Sequence, residues 1–275
     1  MRMTAATFFS GRAQLEDELA FWDGIRLPNG TWRSTKRGRF DDLNAHIAAA
    51  WKQSRFAPRR VLDIAASSGI TSLEWLQAME AAGLAPEMTA TDIALDALLV
   101  EYLPFYRALV LDTPRREPLQ HDLFGLPVFP FLEPSGTLPL RLAAMALHRA
   151  LRGQSPSSVQ PVKLVSPEAA RRIDFIEDDL FDAASKWRLG TFDAIRAANI
   201  LNRDYFPEAQ LAKALSNIRN LLNGEDSFLI IARTLTDGSN HGTMFRLGQD
   251  RRFAAVTTIG RGSEISDLVI AMADA

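Results

Sequence analysis

The stretch VLDIAASSGI, residues 61–70, decides the fold of this chain. Four of its first five residues are apolar, which is typical of a buried strand, and the next residues to Gly69 are small. Small residues allow a tight turn from a strand into a helix, and such a turn presents free N–H groups at the helix N-terminus to a ligand. The stretch therefore predicts a strand, a turn and a helix at a ligand-binding edge.

Short apolar runs alternate with helical patterns along most of the chain. Beyond the first strand, we predict strands at 88–91, 173–176, 192–195, 228–232, 254–259 and 268–272. Helices are predicted at 40–51, 70–79, 139–152 and 208–222. This alternation is typical of an α/β, doubly wound, Rossmann-like fold with a seven-stranded, mostly parallel sheet. The last two strands, separated by a Gly/Ser turn, predict a closing hairpin.

The length of 275 residues is interpreted as a single domain, 1–275, with two additions. Residues 1–58 are predicted to form an N-terminal helical cover. Residues 103–165, which are rich in proline, are predicted to form a lid-like insertion between sheet elements. Its apolar run at 124–132 has three open interpretations: a pocket lid, a homodimer interface, or packing on the sheet.

Composition excludes several classes of protein. With 0 Cys there is no disulfide, no thiolate zinc site and no cysteine nucleophile, and we expect no metal site. The net charge of -2 gives no electrostatic footprint for nucleic acid. We find no signal-peptide pattern and no membrane-spanning run, so we expect a cytoplasmic protein without a membrane partner. The basic stretch at 33–39 is interpreted as a solvated loop, with an acidic ligand as the alternative.

The turn also carries a family resemblance. Residues 63–69 match the pattern Asp-x-Gly-x-Gly-x-Gly, with Ala65 and Ser67 at two of the glycine positions. They resemble motif I of the class I S-adenosylmethionine-dependent methyltransferases, whereas the Gly-x-Gly-x-x-Gly turn of NAD-dependent dehydrogenases is absent. The resemblance implies that S-adenosylmethionine is the cofactor and that the turn contacts it through Asp63, Ala65, Ala66, Ser67 and Gly69. The alternative is a turn that serves packing alone.

Three later segments resemble further motifs of the same family, in the family's order. The resemblance implies that Asp92 binds the ribose hydroxyls beside Ile93, with a helix N-cap as the alternative for Asp92. It implies an adenine-flanking pair drawn from Asp178, Asp179 and Leu180, with Asp179 and Leu180 favoured. At the fourth strand it implies that Ala198 and Asn199 line the methyl donor. A loop cap is the alternative role for Asn199.

The resulting hypothesis is an S-adenosylmethionine-dependent methyltransferase that acts on an unidentified small-molecule acceptor by in-line transfer. The candidates for a general base or acceptor-facing group are His121, His148, Tyr205 and His241, with surface, capping or packing roles as the alternatives. A non-catalytic protein that binds S-adenosylmethionine or S-adenosylhomocysteine stays open. So does a protein carboxyl methyltransferase, because residues 197–206 also resemble the glutamate methyltransferases of bacterial chemotaxis.

Overall fold

The computed structural model describes residues 3–12, 15–33, 35–130, 138–184 and 189–272. Its contacts divide the chain into two compact units, each made of two separate segments. We call Met1–Lys36 with Ala94–Ser166 the antiparallel unit, and Arg37–Ile93 with Pro167–Ala275 the parallel unit, after their sheets.

The parallel unit is an α/β fold built on a seven-stranded mixed sheet. From one edge to the other its strands are β12 (Phe253–Ile259), β11 (Asn240–Leu247), β10 (Phe228–Thr234), β9 (Ala194–Ala198), β1 (Arg60–Ile64), β2 (Glu87–Asp92) and β8 (Asp174–Glu177). Strands β10, β9, β1, β2 and β8 pair in parallel, and β11 pairs antiparallel with β10 and β12. The carboxyl ends of five parallel strands therefore share one edge of the sheet.

Helices cover both faces of this sheet, as the sequence predicts. They are α3 (Asp41–Ser54), α4 (Ile70–Ala81), α6 (Pro167–Ala170), α7 (Glu208–Leu221) and α8 (Ser266–Ala271). Successive residues of β1 face opposite sides: Val61 packs in one core with α3 and α4, and Leu62 packs in the other with α7 and α8. Because both faces are buried, the central strands are mostly apolar, which is why the sequence reveals them; Asp63 of β1 and Arg196 of β9 are buried exceptions.

One predicted strand of the parallel unit is wrong. Residues 268–272 do not form the second arm of a hairpin, since the last turn leads into helix α8. Ile265 and Val269, four residues apart, are both fully buried, which is the spacing of one helix face. The antiparallel pair is instead β11 and β12, and the count of seven strands is reached by including β11, which the sequence did not predict.

The antiparallel unit contains a second sheet, of five strands. In order they are β6 (Leu126–Val128), β5 (Pro118–Leu123), β4 (Tyr106–Leu111), β3 (Asp96–Leu103) and β7 (Ser158–Lys163), and every neighbouring pair is antiparallel. Its helices are α1 (Ala5–Thr7), α2 (Leu15–Trp22) and α5 (Leu138–Leu151), and a π-helical segment spans Phe8–Arg12. Helix α5 was predicted, whereas the sheet was not. Residues 131–132 of the apolar run lie outside the described residues.

The inserted segment is longer than the expected 103–165, and the helical cover 1–58 is not one piece. Strand β3 begins at Asp96, which pairs with Lys163 near the segment's other end. Arg33, 1% exposed, donates from Nη1 to the Ala94 carbonyl (2.8 Å) and from Nη2 to the Leu164 carbonyl (2.7 Å). Because the N-terminal segment holds both ends of the insertion in this way, residues 1–36 belong with it, while α3 packs in the parallel unit. Arg33 is thus buried, contrary to the predicted solvated loop.

Candidate functional site

The turn after β1 keeps the backbone conformation of a glycine-rich motif without most of its glycines. Ala65, Ser67 and Gly69 have φ angles of 58°, 54° and 79°, all in the left-handed region. These are the three positions at which the resembling motif has glycine. Left-handed backbone costs a residue with a Cβ about 1–2 kcal/mol, so Ala65 and Ser67 retain this shape at a cost to stability.

Hydrogen bonds tie the turn to the end of β2. The Ala66 N–H donates to the Thr91 carbonyl (2.9 Å), and the Ser67 N–H donates to Asp92 Oδ2 (2.8 Å). Gly69 precedes helix α4, and a Cβ at this position would lie 2.3 Å from the Phe175 ring. The sequence therefore brings the first motif and Asp92 together, as the resemblance implies.

Asp63 lies beneath the turn in a buried ion pair. Arg196 of β9 donates from Nε to Asp63 Oδ1 (2.9 Å) and from Nη2 to Oδ2 (2.6 Å), and the two side chains are 0% and 3% exposed. The Ser72 hydroxyl also donates to Oδ2 (2.6 Å). Both carboxylate oxygens are engaged inside the protein, so Asp63 orients the strand end beneath the turn.

The residues predicted to flank ribose and adenine follow β2 and β8. Asp92 is 9% exposed, and the next side chain, Ile93, is 51% exposed although it is apolar. The Asp178 N–H donates to the Asp92 carbonyl (3.0 Å), which places the end of β8 beside the end of β2. Asp179 Oδ1 accepts the Phe181 N–H (2.9 Å), and Leu180 is half-buried. Of the predicted pair, Asp179 therefore makes a local turn contact.

Asn199 closes the ends of β9 and β10. It has a left-handed φ of 60°, its N–H donates to the Ala232 carbonyl, and its Oδ1 accepts the Thr234 N–H at 2.7 Å. This is the capping role that we gave as the alternative to a position facing the methyl donor. Ala198, the last residue of β9, is half-buried at the same edge.

A cavity of about 290 Å³ lies where β10 ends, and His241 is part of its wall together with Arg233, Arg261 and Glu264. The Nδ1 atom of His241 accepts the Arg261 N–H (2.6 Å), so the neutral ring carries its proton on Nε2, which lies 3.0 Å from the Ser239 hydroxyl. Tyr205 is 61% exposed. Of the four base candidates, these two lie in the parallel unit.

The other two base candidates, His121 and His148, lie in the antiparallel unit with Tyr102 and Tyr106. The two histidine ring centroids are 5.5 Å apart, and the Tyr106 hydroxyl lies 2.9 Å from His121 Nδ1. Burial and the neighbouring His148 lower the pKa of His121 to about 4, and burial raises the pKa of Tyr106. The sequence did not predict this cluster, because its members are far apart along the chain.

Sequence reasoning also missed Arg196 as the partner of Asp63. The available signal was an arginine inside the buried strand pattern FDAIRAANIL, since a buried guanidinium needs an acidic partner. Within the described parts of the chain, no cluster of three or more acidic or histidine side chains has the arrangement of a metal site. No described helix is both long and apolar enough to cross a membrane.

Comparison with known proteins gives distant structural matches only. No protein-family model and no curated protein matches the chain. Among solved structures, it resembles an O-methyltransferase family protein from Burkholderia thailandensis at 14% identity and a TM-score of 0.36, over 72% of this chain and 38% of that protein. It also resembles the N-methyltransferase NodS from Bradyrhizobium japonicum WM9 in complex with S-adenosyl-L-homocysteine, at 14% identity and 0.35, over 79% and 70%.

A third match is the S-adenosylmethionine-bound amino pentose methyltransferase CalS10 from Micromonospora echinaspora, at 13% identity and a TM-score of 0.35, over 84% of this chain and 80% of that one. These matched proteins are methyltransferases. Likeness at these TM-scores carries no functional argument, so function is argued below from this chain's own residues.

Proposed function

We propose that the parallel unit binds S-adenosylmethionine and transfers its methyl group to a small-molecule acceptor. The observation that carries the proposal is the turn at 65–69, with three left-handed residues and an N–H bonded to the Asp92 carboxylate. Strained backbone persists where the surrounding structure enforces it, and such strain clusters at ligand sites. The position supports the same interpretation, since ligands of open α/β sheets bind outside the carboxyl ends of the strands.

The residues at this edge fit the chemistry of the cofactor. The Asp92 carboxylate can accept hydrogen bonds from ribose hydroxyls, and the exposed apolar side chain of Ile93 offers a surface for an adenine ring. The turn contains only small side chains, so a ligand can approach its backbone. We assign Ala65, Ser67 and Gly69 to shaping the turn, and Asp63 to positioning it.

The protein's part in methyl transfer is alignment. Bound S-adenosylmethionine supplies an electrophilic methyl group on sulfur, and the acceptor must approach it in line. Holding two reactants in such geometry can lower a barrier by about 7–11 kcal/mol. The cavity beside β10 is the acceptor site that we favour, because it opens at the same sheet edge. Its wall combines apolar side chains such as Leu201 and Ile231 with the ion-paired Arg233 and Glu264. There, His241 forms part of the wall with both of its ring nitrogens bonded within the protein.

The binding step is tested by calorimetric titration with S-adenosylmethionine and S-adenosylhomocysteine. Asp92→Asn removes the charge that would bind the ribose, and we expect affinity to fall about ten-fold or more. The matched control is Asp226→Asn, an exposed carboxylate just before β10 begins, at the opposite edge. Absence of binding by the parent chain, or equal affinity in both variants, would remove the proposal.

Methyl transfer must be measured separately from cofactor binding, because the hydrogen bonds of His241 favour a second candidate function, that of a non-catalytic cofactor-binding protein. Both ring nitrogens of His241 are engaged within the protein, which suits that role. That candidate predicts cofactor binding without methyl transfer across a panel of phenols, amines and carboxylic acids. Transfer to a glutamate side chain of a protein in place of a small molecule would instead identify a protein carboxyl methyltransferase.

A further inference from the structure

A second cavity, of about 410 Å³, lies within the antiparallel unit. Its walls are formed by the C-terminal half of helix α5 and the start of β5, through the residues Pro118, Met145, His148, Arg149 and Arg152. Three of these five side chains are basic or can become so, and none is acidic. The cavity does not involve any residue of the proposed cofactor site.

The two arginines of this cavity are exposed and are unpaired among the residues that the structure describes. Neither Arg149 nor Arg152 forms an ion pair or side-chain hydrogen bond with any residue that the structure describes. Helix α5 contains no Asp or Glu along its whole length. Arg149 lies near the C-terminus of helix α5, where a positive charge interacts favourably with the helix dipole. This interaction explains an arginine at the helix end, but it does not explain a second arginine beside it at the same cavity. Two unpaired guanidinium groups at one cavity are a typical arrangement for binding an oxyanion.

His148 adds a buried polar atom without a partner. The residue is 5% exposed, and its Nδ1 atom, which is itself shielded from solvent, has no partner in the described parts of the chain. Buried polar atoms are paired in most proteins, so an unpaired one calls for a ligand, an ion or a water molecule. Burial and the charge of Arg152 lower the pKa of His148, which therefore is neutral at pH 7.

The surroundings of the imidazole allow it to respond to a bound anion. The groups that face it are His121, with ring centroids 5.5 Å apart, Tyr102 at 6.1 Å, Arg152 and the Arg116 carbonyl. None of these is a carboxylate. An anion in the cavity would supply the missing negative charge and favour protonation of His148.

We propose that this cavity is a binding site for a phosphate monoester group, held by Arg149 and Arg152 beside the buried His148. A phosphate monoester carries close to two negative charges and three terminal oxygens at neutral pH. These match two guanidinium groups and one imidazolium better than the single charge of a carboxylate does. Two sources share this chemistry: a small soluble phosphate ester, and the headgroup of phosphatidate in a membrane.

Calorimetric titration of the full chain tests the site with three probes: glycerol 3-phosphate, acetate, and phosphatidylcholine vesicles with and without phosphatidate. We expect glycerol 3-phosphate or the phosphatidate vesicles to bind, and acetate to bind at least ten-fold more weakly. Arg149→Gln and Arg152→Gln should each weaken binding about ten-fold. The control Arg251→Gln removes the same charge from an exposed turn of the parallel unit and should bind as the parent does.

Binding to vesicles only, lost in Arg149→Gln, identifies the lipid headgroup as the source, whereas binding of glycerol 3-phosphate identifies a soluble ester. The proposal is overturned if neither probe binds, or if Arg251→Gln weakens binding as much as the cavity variants. Circular dichroism of each variant keeps a folding defect separate from a binding defect.

The histidine is tested by NMR, since the chain has only 4 His and their Hε1 signals can be assigned by substitution. Saturating glycerol 3-phosphate should raise the titration midpoint of His148, as its ring becomes an imidazolium. The exposed His46, bonded to Thr257, should titrate unchanged and is the internal control. An unmoved His148 signal under ligand saturation would contradict its assigned response to the bound charge.

Discussion

Substituting Arg196 by Met should destabilise the parallel unit far more than the loss of a surface charge. The guanidinium makes four side-chain hydrogen bonds: two to Asp63, one to Asn44 Oδ1 (3.0 Å) and one to the Thr71 carbonyl (3.0 Å). It also lies 4.5 Å from the centre of the Trp75 ring. Methionine preserves the contact with the ring but leaves the Asp63 carboxylate buried with the Ser72 hydroxyl as its remaining side-chain donor.

The magnitude follows from burial. Removing one partner of a buried ion pair costs about 3–5 kcal/mol, because the other charge stays in a medium of low polarity. Arg233, on the neighbouring strand β10, is the matched control, since it pairs with Asp204 and Glu264 while 29% exposed. Pairs of that kind contribute about 0–1 kcal/mol, so Arg233→Met should be nearly neutral.

The assay is urea unfolding followed by circular dichroism, with the free energy of unfolding compared among the variants. The double variant Arg196→Met with Asp63→Leu removes both charges, and we expect it to be more stable than Arg196→Met alone by about 2 kcal/mol. The reasoning is refuted if Arg196→Met costs no more than Arg233→Met, or if the double variant is as unstable as the single one.

Three further predictions concern the turn and the buried histidines. Gly69→Ala should cost about 2–3 kcal/mol in thermal unfolding, because its Cβ would meet the Phe175 ring and its φ is 79°; Gly83→Ala, with a φ of 85° in open space, should cost only about 1 kcal/mol. Ser67→Gly should relieve left-handed strain and stabilise the protein by up to about 1 kcal/mol in urea unfolding, and a loss of stability would contradict the strain. His121 has its folded pKa lowered from 6.5 to about 4, so the unfolded chain binds more protons between these values. The antiparallel unit should therefore lose up to about 3 kcal/mol as the pH falls from 6.5 to 4, and urea unfolding across that range should show a flatter dependence for His121→Phe.

The two units differ in how well their sequences predict them. In the parallel unit the central strands are mostly apolar on both faces and the helices have apolar stripes, so local pattern located them, although it missed β11 and helix α8. The antiparallel sheet is hidden by prolines that the pattern assigns to loops. Pro118 begins a strand, while Pro127 and Pro161 lie in the edge strands β6 and β7, where a missing N–H is tolerated.

The candidate site was predicted as positions but not as contacts. The spacing of the motif located the turn, and the bond from the Ser67 N–H to Asp92 confirms that two separate segments meet there. The sequence could not predict that the carboxylate oxygens of Asp63 bind Arg196, because the two residues are 133 positions apart in the chain. Asn199 shows the same limit: its residue type suits both a cap and a ligand contact, and its bond to Thr234 depends on the register of two strands.

The nested layout of the two units has a consequence for how the chain is made. Residues 1–36 leave the ribosome before residues 94–166 and include Phe8, Phe21 and Trp22, all fully buried in the finished antiparallel unit. The last strand of this unit, β7, ends at Lys163, more than a hundred residues later. At about 5–20 residues per second, this apolar segment waits several seconds for its partners. During synthesis these apolar side chains are therefore exposed for an interval in which the chain is prone to aggregate.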